Sequence, residues 1–549
     1  MRRSKEPLLS SSSSNGNASQ SKPLSSLVIA LSFTALLCCA AAFLLLNVAA
    51  PDLCVGSPDR SSCRAIVADA ALSSPRAQPL RPAEVLHAIF SRSLGQHDAA
   101  AVASMHGRAS DSRQNAALAD CVQLMDLARD RLADASAAAA AKTPDDDART
   151  WLSAVLTYYA TCLDGLDDGP LRDAVGARLE PLKSLASASL AVLNAVVDSS
   201  GKRSVVRDPL AEEVVDTFPS WLPARDCALL EAAAGAGAAK AAADVVVAKD
   251  GSGKFTTVKE AVDAAPDGGK TRYVIYVKRG GENVEVGKKK RELMIVGDGV
   301  DATVITGSRN VVDGSTTFNS ATLAVSGDGI ILRDLRIENT AGPEKHQAVA
   351  LRVSADRAVV HRCRVDGYQD TLYAHTLRQF YRDATVSGTV DFVFGNAAAV
   401  LQGCTLVARR PMRGQQDAVT AQGWEDPNQN TGTSVQRCRV VPAPDLAGVP
   451  TFLGRPWKAY SRTVYMQSYL DAHIDPKGWL EWDGEFALKT LFYGEYQNEG
   501  PGAGTAGRVR WPGYHVITDR SVAMQFTVGQ FIQGGNWLKG TGVDYNEGL

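Results

Sequence analysis

The feature that most constrains this chain is a repeat whose period is too long for any helix or hairpin. VVHRCRVDGY (359–368), FYRDATVSGT (380–389), VLQGCTLVAR (400–409) and SVQRCRVVPA (434–443) share one pattern: apolar residue, polar pair, small residue, polar, apolar. ILRDLRIENT (331–340) follows it loosely. The central small residues are Cys363, Ala384, Cys404 and Cys438, in steps of 21, 20 and 34, and the last step implies an insertion around WEDPNQNTG. Short β-branched stretches separated by Gly, Asn and Asp turns, recurring every 20–25 residues or so, predict a parallel β-helix. Each coil then returns the chain to the same azimuth about 4.8 Å further along. An ordinary β-sandwich would place its turns about every 8–12 residues instead.

Three polar segments are carried on this repeat: Gln347 in HQAVALRV, Gln369-Asp370 in YQDTLY, and Asp391 in GTVDFVFG. Gln347, Gln369 and Asp391 are separated by 22 residues and 22 again, which predicts one line on a rigid surface. Paired carboxylates of this kind suit acid–base or nucleophilic work, and amide donors beside them can hold developing negative charge. Two carboxylates a coil apart resist joint ionisation, so one is expected to carry a proton. Tyr368, Tyr373, Phe394 and Trp457 are candidates for packing against flat apolar ligand faces.

A chain of 549 residues is expected to form two or more domains. A net charge of −2 and a pI near 6.5 exclude the strongly basic face of a nucleic-acid protein. The basic run Lys288-Lys289-Lys290-Arg291 reads as a solvated turn. Residues 27–50 form an uncharged apolar run of 24, long enough to span a bilayer and longer than a cleavable signal's apolar core. The Ser-rich tail over 1–26 carries Arg2, Arg3, Lys5 and Lys22 against Glu6, which predicts a cytosolic N-terminus and a signal-anchor in the secretory pathway. A long signal peptide is the rival reading.

Residues 51–210 are Ala- and Leu-rich, and positions 152, 155, 156, 159, 163 and 166 follow helical spacing, which predicts a helical bundle. On the oxidising side of a membrane disulfides persist. Cys54 and Cys63 are close enough to close a small loop, and Cys121 and Cys162, each on an amphipathic helical stretch, are the other two candidates. The states of Cys227, Cys363, Cys404 and Cys438 are left open. His87, His97 and His106 read as surface residues. A Pro-then-Gly/Ala stretch over 211–243 reads as a linker, and a β-rich domain follows over 244–549.

The segments GSRNVVDGSTTFNSAT, NTAGPEKHQAVALRV, YQDTLY, GTVDFVFGNAAAVLQ, AQGWEDPNQNTG, FLGRPWKAYSRTVYMQS and LFYGEYQNEGPGAGT resemble those of plant pectin methylesterases (pectinesterases) over essentially all of 244–549. The helical part, with WLSAVLTYYATCLDGL, is similar to the pectin methylesterase inhibitor domain that precedes the enzyme in longer members. The resemblance implies a right-handed parallel β-helix and a monomer that acts on methyl-esterified homogalacturonan in the plant cell wall, with no metal or organic cofactor. It implies that Asp391 is the nucleophile, Asp370 the proton donor and acid–base, and Gln347 and Gln369 the oxyanion donors. It further implies that Arg455 holds the nucleophilic carboxylate, that Trp457 lines the sugar site, and that Thr317 contacts substrate.

Several departures accompany the resemblance. VKRGGENVEV lacks an expected Tyr, which predicts a tightened first coil. Ala384 replaces a cysteine, leaving Cys404 to stay free or to pair with Cys363 or Cys438. Trp424 stands where a polar residue is common. Relatives end the linker in a dibasic pair before Leu-Leu; here Arg225-Asp226-Cys227-Ala228-Leu229-Leu230 carries a single Arg. Slow or absent cleavage by a processing protease is therefore expected, with the wall or the secretory pathway as the final location. A polygalacturonase would show GHG and RIK segments and a serine esterase a G-x-S-x-G elbow; the chain has neither. The remaining alternative is a catalytically weak or autoinhibited pectin-binding or inhibitor protein.

Overall fold

Ile305, Ile337, Val365, Val386, Leu406, Val440 and Leu470 stand in one ladder, each a coil beyond the last and none exposed. This column is the core of a parallel β-helix: among the described residues there are three sheets, of eleven, seven and seven strands, in which each strand pairs in parallel with the strand one coil away. Such strands are buried on their inner face throughout, which is why they read as β-branched and aliphatic runs. The computed structural model describes residues 52–72, 82–141, 145–199, 243–278 and 283–549.

The observed register reproduces the repeat steps. Arg364 pairs with Thr385, Thr385 with Thr405 and Thr405 with Arg439, each partner lying just after Cys363, Ala384, Cys404 or Cys438. Cys363, Cys404 and Cys438 are buried and free. The corner before each of these strands is a single left-handed residue: Asp334, Arg362, Asp383, Gly403 and Arg437 all have positive φ. One residue per coil in that conformation turns the chain sharply enough to start the next sheet.

The third sheet positions the site. Its strands are β1 (Val284–Val286), β2 (Leu323–Val325), β3 (Leu351–Val353), β4 (Leu372–Ala374), β5 (Val393–Gly395), β6 (Asp417–Gln422) and β7 (Thr451–Gly454), stacked in that order. Leu351 pairs with Leu372 and Leu372 with Val393, so the coils here advance by 21 residues. The expected strict 22-residue line is therefore corrected: it is Asp370 and Asp391, not Gln369 and Asp391, that share a register. The helix Val258–Ala264, closed by a capping box between Thr257 and Glu260, buries Val258, Ala261 and Val262 over the first coils.

Ahead of the β-helix are the helices α1 (Arg60–Leu72), α2 (Pro82–Gln96), α3 (Ser112–Ala141), α4 (Asp145–Asp164) and α5 (Pro170–Ser199). Disulfides join Cys54 to Cys63 and Cys121 to Cys162, the second tying α3 to α4. His97 is not a surface residue: it is buried, with Nδ1 3.1 Å from the Tyr159 hydroxyl and Nε2 2.7 Å from the Met125 carbonyl. His87 and His106 are exposed as expected. The described residues from Leu53 to Leu549 form one compact unit.

The expected membrane segment 27–50, the N-terminal tail, the linker up to residue 242 with Arg225–Leu230 and Cys227, and the shortened turn at 279–282 lie outside the described residues. No described helix is long and apolar enough to cross a membrane.

Candidate active site

Asp370 and Asp391 each lie two residues before a paired strand position, Leu372 and Val393, and so occupy the same corner of successive coils. Both have left-handed backbones, φ 62° and 55°. A non-glycine residue in that region is uncommon in general, but in this β-helix it is an ordinary corner, as at Asp334, Arg362, Asp383 and Arg437, and here it sets the two carboxyls one coil apart. Both are nearly buried, at 8% and 4% exposure, and both line one cavity of about 360 Å³.

Arg455 lies just beyond β7. Its Nε donates to Asp391 Oδ1 at 2.8 Å and its Nη2 to Asp391 Oδ2 at 2.7 Å. Burial pushes the Asp391 carboxyl up, and this forked guanidinium offsets part of that rise, leaving the carboxyl above its ordinary value. Asp370 is raised well above the ordinary carboxylate range, first by burial and then by the charge of Asp391, with only a distant pull from Arg455. The fork thus favours the charged form of Asp391, and Asp370, raised further and without a fork of its own, is the better placed of the two to hold a proton.

Gln347, Gln369, Thr317, Arg455 and Trp457 line the same cavity as Asp370 and Asp391. The side-chain oxygen of Gln369 is buried without a hydrogen-bond partner among the described residues, leaving this amide unengaged. Tyr373 stacks on Phe394 at 4.2 Å, and Trp457 meets Phe394 edge-on at 6.0 Å. A Cβ at Gly423 would come within 2.8 Å of the Trp457 ring, so glycine there makes room for the indole. Tyr368 does not line the cavity; Arg409 lies 3.9 Å over its ring and donates to its hydroxyl. Trp424 carries the guanidinium of Arg462 at 4.1 Å.

Sequence reasoning missed three contributors. Trp482 lines the cavity with its ring 4.4 Å from the Arg455 guanidinium, and nothing in its polar EWDGE context marks it. Asp417 on β6 is a third buried carboxylate, raised well above its ordinary range by burial. The helices supply the rest: Arg113, Thr161, Asp164 and Arg172 line the cavity from the side opposite the carboxylates' strands.

The helical contribution comes mainly from α4, which is buried nearly all round. Ser153, Thr157 and Thr161, four apart on one face, meet the β-helix, and the Tyr158 ring lies 5.6 Å from that of His375. Gln429 Nε2 donates to the Ser153 carbonyl at 2.8 Å, Asn396 Nδ2 to Thr157 Oγ1 at 2.9 Å, and Thr161 Oγ1 lies 2.9 Å from His375 Nε2. Arg131 donates to both oxygens of Asp328 at 2.8 Å, Lys458 pairs with Asp164 at 2.6 Å, and Asp120 accepts from Thr316 and Asn319. The expected solvated turn also joins this interface: Lys288 is only partly exposed and is held by Asp126 and Asp130 of α3.

The pectinesterase family model matches residues 244–535, and the plant invertase/pectin methylesterase inhibitor model matches residues 49–192. Pectinesterase 2.2 of Solanum lycopersicum is 56% identical over 456 residues, covering 82% of this chain and 81% of that one. Pectinesterase/pectinesterase inhibitor 18 of Arabidopsis thaliana is 50% identical over 512 residues, covering 91% and 90%. The solved pectin methylesterase from carrot is similar to 56% of this chain and 98% of its own, at 56% identity and a TM-score of 0.55. With the two in-register aspartates, the forked arginine and the aromatic row on a parallel β-helix, the chain belongs to the pectinesterase family and carries an inhibitor-like helical domain ahead of its catalytic one.

Proposed function

We infer that the protein hydrolyses the methyl esters of homogalacturonan, releasing methanol and leaving pectate. The observation that carries this reading is the division of one carboxylate pair by Arg455: Asp391 is ion-paired, while Asp370, one coil away, holds a proton. Asp391 attacks the C6 carbonyl of a methyl galacturonate, and the carbonyl oxygen takes up negative charge beside the amides of Gln347 and Gln369. The tetrahedral species collapses, the C6–O bond to the methoxy group breaks, and Asp370 delivers its proton to the departing methoxide, which leaves as methanol. Asp370, now ionised, removes a proton from water, which attacks the acyl-enzyme and releases Asp391 and the free galacturonate. Trp457 and Thr317 bound the sugar site, with Tyr373 and Phe394 beneath it.

A protein that only binds pectin or only inhibits would have no use for the complete set of Gln347, Gln369, Asp370, Asp391 and Arg455. In the uncleaved chain α4 stands over the same cavity, so substrate entry requires the helical domain to move. Residues 27–50 serve as a signal-anchor in the secretory pathway, with the cell wall as the working location and the single Arg225 limiting proteolytic release. Methanol release measured against reducing-end formation on methylated pectin tests the assignment: an esterase yields methanol alone, and a chain-cleaving enzyme yields new ends.

A further inference from the structure

The guanidinium of Arg455 is held on two sides. Its Nε and Nη2 fork Asp391, and it lies over the Trp482 ring, 4.4 Å from the ring centre. A guanidinium offers an edge of donors and two flat faces, so one carboxylate and one aromatic ring can grip it together. Trp482 is 37% exposed and lines the catalytic cavity. It stands in a polar turn, with Glu481, Asp483, Gly484 and Glu485 all exposed around it. A large aromatic side chain in such a charged turn needs a local reason, and Arg455 supplies one.

The turn is anchored from below. Trp479, three residues earlier, is fully buried, stacks on Tyr493 at 4.1 Å and donates from Nε1 to Glu495 Oε1 at 3.3 Å. Arg508 grips the two oxygens of Glu495 at 2.8 and 3.0 Å. Trp479 bridges in parallel to Gly454, the last residue of β7, and the Leu480 N–H donates to the Gly454 carbonyl at 3.0 Å. Arg455 is tied from the other side, its N–H donating to the Thr420 carbonyl at 2.9 Å. The chain that carries Trp482 is therefore pinned to the residue just before Arg455. A buried anchor, and not a free loop, delivers the ring to the guanidinium.

We propose that Trp482 is a positioning residue for the reaction: its ring holds the Arg455 guanidinium so that the fork on Asp391 stays closed through each turnover. The proposal rests on the esterase reading, since it needs Asp391 to be the nucleophile. An arginine side chain has many rotamers, and each one left open is a state in which Asp391 loses its counter-charge. The stacked ring removes those states before substrate arrives, so the electrostatic contact is preorganised. Trp482 acts through Arg455, whereas Trp457 bounds the sugar site.

The test uses residues 244–549, since the solved carrot protein, 98% of which matches 56% of this chain, is a region of this extent folded on its own. The variants are Trp482→Leu, which keeps apolar bulk without a ring, and Trp482→Phe, which keeps a smaller ring. Methanol release from short, fully methyl-esterified oligogalacturonides gives kcat and KM. Trp482→Leu lowers kcat roughly five- to tenfold, the range of one partly desolvated cation–π contact, with KM within about twofold. Loosening the fork raises the Asp391 carboxyl, so the acid limb of the pH–rate profile moves to higher pH. Trp482→Phe restores most of both. In an Arg455→Lys background, Trp482→Leu costs less than about twofold more, because the fork it would hold is already gone. Should Trp482→Leu fail to fold by circular dichroism, Trp482→Gln, which suits the exposed polar turn, takes its place with the same expected changes. A raised KM with kcat and the acid limb unchanged would overturn the positioning role and leave Trp482 a sugar contact. A kcat loss of undiminished size in the Arg455→Lys background would overturn it too. Absence of methanol release by the parent would instead overturn the esterase reading beneath the proposal.

Discussion

Arg455 grips Asp391 through two parallel bonds of 2.8 and 2.7 Å, while no guanidinium among the described residues reaches Asp370. That asymmetry assigns charge to one aspartate and a proton to the other. Lysine at 455 keeps a positive charge but loses the planar fork. Arg455→Lys is expected to lower kcat by about 10², the range found when one preorganised electrostatic contact is lost. Because the fork holds the Asp391 carboxyl down, its loss moves the acid limb of the pH–rate profile to higher pH. A profile with an unshifted acid limb would show that the fork does not tune Asp391.

Asp370 also affects stability. Its carboxyl is raised in the folded protein, so the native state holds a proton that the unfolded chain releases above its ordinary range. The contribution of that proton is fully present at low pH and is lost as pH rises through the folded value. Asp370→Asn keeps the shape and removes the buried ionisation. Thermal unfolding should show the variant gaining Tm over the parent at pH 8 and little or nothing at pH 4. An equal Tm difference at both pH values would contradict the raised carboxyl.

Much of the β-helix was legible in the sequence because coil stacking imposes a period. Cys363, Ala384, Cys404 and Cys438 reported it, and each lies just before a residue paired in the second sheet. The two aspartates were legible through the segments that carry them, whereas Gln347, Gln369 and Asp391 do not form one line, since they lie four, three and two residues before the paired positions Leu351, Leu372 and Val393. The interface was not legible. Ser153, Thr157 and Thr161 look like the solvated face of an amphipathic helix, and only the partner surface of Gln429, Asn396 and His375 makes them buried. His97 was misread for the same reason: its partners Tyr159 and Met125 lie on other helices. Trp424 and Trp482 find arginines that are remote in sequence or in a neighbouring turn, and no local spacing encodes such stacking.

Docking of the helical domain should depend on pH. Asp120 is pushed up to about 6 by burial, against the opposing bonds from Thr316 and Asn319, with Arg352 and Glu285 also nearby. Glu425, buried against the helices with Lys183, Lys458, Asp164 and Asp426 around it, is pushed up to about 7. Undocked, both return toward ordinary carboxylate values, so the docked state binds more protons. Docking is favoured at pH 5 and weakens as pH rises through 6 to 7. With the linker cut, the helical domain should dissociate more readily at pH 7.5 than at pH 5 by size-exclusion chromatography, and Glu425→Gln should flatten the difference.

The Cys121–Cys162 disulfide closes a loop with a sequence separation of 41 inside the helical domain. Loop entropy alone makes such a link worth about 4 kcal/mol. Cys121→Ser/Cys162→Ser should therefore loosen α3 and α4 and raise the methanol release of the uncleaved chain toward that of the β-helical region. Unchanged activity with a lowered melting temperature would show that the docked helices do not limit access.

The role of Asp391 as nucleophile is tested most directly by the methanol released from methylated pectin by the β-helical region carrying Asp391→Asn. Asparagine fills nearly the same volume, so circular dichroism should report an unchanged fold. The account predicts loss of methanol release by a factor of roughly 10³ or more, as expected when a covalent nucleophile is removed. Methanol release within a few-fold of the parent, from a folded variant, would contradict it.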